Sequence, residues 1–242
     1  MYLRVSDLLT SEMVSAIASV PENETHIDLS GNELNLRSGS DLFKGLAAIS
    51  SKISSLDLSN NDFGHQSVTA LNKAFPGIPA TVIDVNLSMN KMHILKGDKL
   101  SQVFQSCHRD LQTINLAHND LGLLSVLELV TAFKSLPGIN SINLSWNKLG
   151  KKTTPELSEI LGALPEGTAI IDLSHNGLEH KSTNEWTDII SALPKSAKEI
   201  RISPEKTIYV NQVQNSDLEA QGFFSQGNTV DNLNQMASLF TL

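Results

Sequence analysis

Met89, His118, Trp146 and His175 are the residues of this sequence whose types and spacing best suit chemistry or recognition. They follow one another at intervals of 29, 28 and 29 residues, and each directly precedes an asparagine. Two imidazoles suit metal binding or proton transfer, whereas methionine and aromatic side chains exposed together are enriched at protein interfaces. Zinc takes nitrogen ligands at about 2.0–2.1 Å, usually three or four of them. If equivalent positions lie on neighbouring strands about 4.8 Å apart, the attachment points of His118 and His175 are about 10 Å apart, with Trp146 between them. No third ligand offers itself, so no metal and no cofactor is expected. No nucleophile, base and orienting acid form a compact set, and no glycine-rich phosphate loop, HExxH or CxxC motif occurs. No catalytic residue is therefore expected, and recognition is the stronger reading.

These residues are carried by a repeated frame of leucine, small residue, any residue, asparagine. It runs from Leu29 to Asn32, Leu58 to Asn61, Leu87 to Asn90, Leu116 to Asn119, Leu144 to Asn147 and Leu173 to Asn176, with asparagines 29, 29, 29, 28 and 29 residues apart. Each unit opens on a short strand. The pairs Ile27/Leu29, Leu56/Leu58, Val85/Leu87, Ile114/Leu116, Ile142/Leu144 and Ile171/Leu173 alternate with polar residues, which puts them on an inner face. The asparagine then turns the chain, and its amide can satisfy backbone groups that a buried turn leaves unpaired. An apolar anchor follows in the column Leu34, Phe63, Met92, Leu121, Leu149 and Leu178.

The second half of each unit reads as a helix. Leu42, Leu71, Leu100, Leu129, Leu157 and Trp186 begin a stripe that continues four and seven residues on, the spacing of one helical face. Ser125/Glu128, Thr153/Glu156 and Ser182/Glu185 match the capping box of a helix start. Pro79, Pro137, Pro165 and Pro194 punctuate the return to the next strand. Cys107 falls in a column otherwise filled by isoleucine or leucine, which reads as a small buried hydrophobe. A nucleophile paired with His108 is the alternative.

The ends depart from this pattern. Met13, Ile17 and Val20 repeat the helix columns one period earlier, so residues 1–26 are expected to form an amino-terminal capping helix without its strand. Residues 27–203 hold six full units and a degenerate seventh strand at Ile200–Ser203; residues 204–242 form a carboxy-terminal cap and tail. Asn211 to Leu242 contains no lysine or arginine, and Val230, Leu233, Met236, Leu239 and Phe240 suit a short amphipathic helix. A net charge of -8 argues against nucleic acid or an anionic membrane and suits a basic partner surface. One cysteine permits no internal disulfide, and neither an ordinary export signal nor a run of 18 apolar residues is visible. A reducing, cytosolic setting is expected.

A period near 29 with this frame is the signature of a leucine-rich-repeat solenoid. Residues 11 to 203 resemble the ribonuclease-inhibitor-type class. The resemblance implies an α/β fold, a right-handed horseshoe arc with parallel strands on the concave face and helices on the convex face. The frame and the absence of cysteine caps most resemble leucine-rich-repeat effectors of intracellular bacterial pathogens. The polar tail ending in Ser238 to Leu242 is similar to signals read by type IV secretion machines. Bacterial leucine-rich-repeat ubiquitin ligases carry a separate catalytic domain with a cysteine, which the stretch after Ser203 lacks. Ran-type GTPase activators present an arginine or asparagine from repeat loops, but no acidic tail of the expected length follows here.

Outward strand positions are Asp28, Asp57, Asn86, Asn115, Asn143, Asp172 and Arg201, polar as solvent-facing positions must be. The expected function is a non-enzymatic, monomeric module that binds a protein on its concave face through Asp57, Met89, His118, Trp146 and His175, as a secreted bacterial effector in the host cytoplasm. The alternatives are a regulator of a small GTPase and an interaction fragment of a larger protein.

Overall fold

The computed structural model describes residues 1–210. The carboxy-terminal end of the expected cap, the amphipathic stretch around Val230 to Phe240 and the proposed secretion tail lie outside the described residues. Helices and strands alternate along the chain: α1 Thr10–Ala18, β1 His26–Asp28, α2 Gly39–Ala47, β2 Ser55–Asp57, α3 Val68–Ala74, β3 Asp84–Asn86, α4 Lys99–Gln105, β4 Thr113–Asn115, α5 Val126–Lys134, β5 Ser141–Asn143, α6 Thr154–Gly162, β6 Ile170–Asp172, α7 Thr183–Ala192, β7 Glu199–Ser203 and β8 Lys206–Tyr209. All eight strands belong to one sheet in sequence order, parallel from β1 to β7. This is an α/β solenoid.

Register follows from the repeat. Ile27, Leu56, Val85, Ile114, Ile142, Ile171 and Ile200 pair in line across the sheet. All are buried, as are the second strand leucines and the anchor column from Leu34 to Leu178. The helical stripe closes the other side of the core, with Leu71, Leu129 and Leu157 fully buried and Trp186 nearly so. Each helix therefore covers the sheet next to its own strand, and the core is one continuous layer rather than a central cluster.

Helix starts follow the cap chemistry. Ser125, Thr153 and Ser182 each accept a hydrogen bond from the backbone of the glutamate three residues on, and that glutamate accepts one from the cap backbone. The Glu185 carboxyl is held down to about 2 by the Ser182 backbone N–H first, then by the hydroxyls of Thr154 and Ser182 and the Lys181 ammonium. Ser38 and Ser67 cap α2 and α3 in the same way, without the glutamate. α4 has no side-chain cap. There Glu128 of the next unit reaches back and accepts from the Gly97 N–H at 2.6 Å.

Both ends differ from the regular unit. The amino-terminal segment is not a helix alone: Tyr2 bridges Asp28 in parallel fashion, and the Leu3 N–H donates to the Asp28 carbonyl at 2.8 Å. The backbone N–H groups of Val5 and Ser6 then donate to Asn32 Oδ1 at 2.6 and 3.1 Å. Without this segment the β1 edge and the Asn32 Oδ1 would be unpaired, an expense that buried polar groups do not tolerate. At the other end β7 turns back through Pro204 and Glu205 into β8, which is antiparallel to it. The strand reversal replaces the asparagine turn that ends every earlier repeat strand.

Candidate interaction surface

The turn after each strand sets the geometry of the surface. Asn119 illustrates it: its Nδ2 donates to the carbonyls of Leu87, Leu116 and Ala117 at 2.9, 3.0 and 3.3 Å. Its Oδ1 accepts from the backbone N–H of Asn90 and Met92 in the preceding unit at 2.9 and 3.1 Å. Asn61, Asn90, Asn147 and Asn176 repeat the pattern, and all are buried. Each asparagine thus joins two units, which is why the residue type cannot vary.

The residues just before the asparagines are Gly31, Asn60, Met89, His118, Trp146 and His175, all in left-handed backbone with φ between 54° and 63°. The N–H groups of the first five donate to the next unit's carbonyls, among them Met89 to Ala117, His118 to Ser145 and Trp146 to Ser174, at 3.0 to 3.1 Å. The sheet's hydrogen bonding thus continues past the strands and holds these residues in a column. The imidazole of His118 stacks on the Trp146 indole with centroids 4.9 Å apart and planes at 13°. His175 stacks on the other indole face at 4.2 Å and 15°. Met89 and Trp146 remain 51% and 47% exposed.

Asp57 stands outside this column. It belongs to β2, whose turn contributes Asn60 to the row. The Asp57 Oδ1 accepts from the Ser59 N–H at 2.8 Å and its Oδ2 from Asn86 Nδ2 at 2.9 Å. Asp28, Asn86, Asn115, Asn143 and Asp172 make the same bond to the backbone two residues on, at 2.9 to 3.0 Å. The column of aspartates and asparagines is therefore a second structural ladder, built on the short-side-chain turn these residues favour. The consistent choice of Asp or Asn over other polar residues was its sequence signal. Arg201, the exception, pairs with Asp172 at 3.2 Å.

One hydrogen-bonded line on the strand face brings together groups that do chemistry elsewhere. His26 Nδ1 lies 3.0 Å from Ser55 Oγ, which donates to Asp84 Oδ2 at 3.1 Å. The serine is in the middle, so its proton goes to the carboxylate, and no base stands ready to receive it on the imidazole side. Cys107 is equally unsuited to attack. Its thiol borders a small apolar void lined by Phe75, Ile78, Leu87 and Leu111, and burial pushes it up to about 12. His108 is also committed: it donates from Nε2 to the Val82 carbonyl at 2.8 Å and accepts from the Asp110 N–H at Nδ1. Among the described residues no cluster of three or more potential metal ligands occurs.

Over 84% of its length the chain superimposes on the leucine-rich repeat-containing protein LegL7 of Legionella pneumophila, with a TM-score of 0.78 and 31% identity. The chain is a leucine-rich-repeat protein. This leucine-rich-repeat chain spans 64% of the length of that relative. It also resembles the yeast Rad7–Elc1 complex structure over 84% of its length and 48% of that chain, at 13% identity and a TM-score of 0.51, a likeness of fold alone. Neither family models nor curated proteins yield a match. No helix of the described residues is long and apolar enough to cross a membrane.

Proposed function

We propose that this leucine-rich-repeat protein is an interaction module that captures a protein partner on its strand side through Met89, His118, Trp146 and His175, with Asp57 at the margin of the contact. The observation that carries the reading is the backbone beneath the row. Left-handed φ costs a non-glycine residue on the order of 1–2 kcal/mol, least for asparagine. Gly31 and Asn60 meet that demand cheaply in the first two turns, yet the next four turns hold bulky side chains there. These side chains are exposed or half-exposed, so core packing does not account for them. Trp and Met anchors on a rigid scaffold are the composition of a binding hot spot.

The setting we propose is that of a secreted bacterial effector acting in a host cell, supported by the similarity to a Legionella pneumophila protein. The regulator of a small GTPase is the weaker reading. Arg37 directs its guanidinium at the carbonyls of Val5 and Leu8, Arg4 is ion-paired with Asp7 and Arg201 with Asp172 and Glu199, which leaves Arg109, away from the ring column, as the arginine open to act in trans.

Affinity capture from host-cell lysate tests the reading, with His118→Asn/Trp146→Asn as the comparison. Asparagine already occupies this position at residue 60, so the variant keeps the turn. Loss of the captured protein with unchanged thermal unfolding supports the reading; retention of the same protein overturns it. Delivery of a chain truncated near Val213 tests the secretion tail, and unchanged delivery removes that part of the proposal.

A further inference from the structure

Trp146 is sandwiched between two imidazoles, His118 on one side and His175 on the other, with planes within 15° of parallel, so the three rings form a ribbon that offers a partner their edges. Edges and faces recognise different chemistry. A cation binds over the negative face of an aromatic ring, whereas the rim of the ring is electropositive. The ribbon's polar groups are the indole N–H and the imidazole nitrogens, and protonation turns both nitrogens of each imidazole into donors. The indole N–H of Trp146 and the ring nitrogens of His118 and His175 have no hydrogen-bond partner among the described residues, and all three residues are exposed.

The charges around the ribbon agree with this. On the turns themselves Asp120 is neutralised by Lys148 at 2.8 Å. On the strands beneath, Asp172 pairs with Arg201 at 3.2 Å, and the neighbouring positions are the neutral Asn115 and Asn143. Asp57 and Asp84 belong to β2 and β3, ahead of the three rings. The overall charge of -8 is thus not concentrated at the ribbon.

Building on the partner-capture reading, we propose that the His118–Trp146–His175 ribbon takes an acidic segment of the partner, its carboxylates accepting from the indole and imidazole N–H groups, and that capture tightens as pH falls through the histidine range. A protonated imidazole donates from both nitrogens, and charge-assisted hydrogen bonds are roughly twice as strong as neutral ones.

The test uses the full chain with two peptide probes, hexaglutamate and hexalysine, followed by the indole N–H resonances of Trp146 and Trp186. Hexaglutamate is expected to move the Trp146 signal alone, with apparent affinity rising roughly fivefold from about pH 7.5 to about pH 5.5 and falling with added salt. The His118→Asn/His175→Asn variant, checked for folding by circular dichroism, is expected to lose that pH dependence. Binding of hexalysine in preference, binding indifferent to pH, or no shift at either pH overturns the inference. If hexaglutamate does not bind while Trp146→Asn still releases the lysate partner, the acidic-segment inference fails and the capture reading stands. If hexaglutamate binds but Trp146→Asn retains the lysate partner, the capture reading fails instead.

Discussion

Gly31 and Asn60, at φ 63° and 54°, are residue types that left-handed backbone favours; Met89 and Trp146, at 58° and 57°, are not, and His118 and His175, at 56°, tolerate it but carry more side chain than the turn needs. The two groups share one position of the repeat and, His175 at the last turn excepted, one set of inter-unit hydrogen bonds around the neighbouring asparagine. What differs is the side chain alone. The comparison separates what folding requires from what it merely permits: the backbone of this turn is required, and its occupant is free. One residue further along, the asparagines permit nothing, because every polar atom of the amide is engaged in the buried turn.

The sharpest contrast between required and permitted is Asn119→Ala. It strands the N–H groups of Asn90 and Met92 in the core, each costing about 1–3 kcal/mol unless water enters, while the carbonyls of Leu87, Leu116 and Ala117 each keep one other donor, so a loss of at least about 2 kcal/mol is expected in urea unfolding. A loss under 1 kcal/mol would break the comparison. Trp146→Asn is the counterpart. Relief of left-handed strain offsets the lost stacking, so stability is expected to change by no more than about 1 kcal/mol in either direction, while partner affinity drops by roughly tenfold or more. A destabilisation like that of Asn119→Ala would place Trp146 among the structural residues.

On the helix side the same distinction predicts smaller effects. The Glu185 carboxyl is depressed from 4.5 to about 2, by the Ser182 backbone N–H above all, so its stabilisation is complete above pH 4.5 and is lost as pH falls towards 2. The melting-temperature gap between wild type and Glu185→Gln should be widest near neutrality and close over that window; a gap constant from pH 7 to pH 2 would refute the assignment. Cys107→Val, beside the small void among Phe75, Ile78, Leu87 and Leu111, is expected to raise stability slightly, by up to about 1 kcal/mol, in the same unfolding assay. A loss larger than that would show the site is closed to a branched side chain.

The sequence already carried the parts of this architecture that depend on side-chain periodicity. Strand pairs, anchors, helix stripes and three capping boxes recur at a fixed interval, and each has a residue type that only one role explains. The pairing of Tyr2 and Leu3 with β1 escaped because it is made by main chain, which every residue supplies equally. The turn-forming role of Asp57 and its column was hidden by its ordinary polarity. Alignment of Met89, His118, Trp146 and His175 follows from counting residues. Which ring faces are covered depends on side-chain torsions, and no spacing encodes those.

The interval of 28 between Asn119 and Asn147 shortens one unit by a residue, yet β4 and β5 stay in line. The missing residue is absorbed between α5 and β5, where Pro137, Gly138 and Ile139 make a tight bend and a side chain on Gly138 would meet open space. Coil length can therefore drift at this joint, on the far side from the ring column, without shifting the spacing of anything a partner touches. Insertions and deletions in related chains are expected to collect there, leaving recognition to change by exchange of single residues.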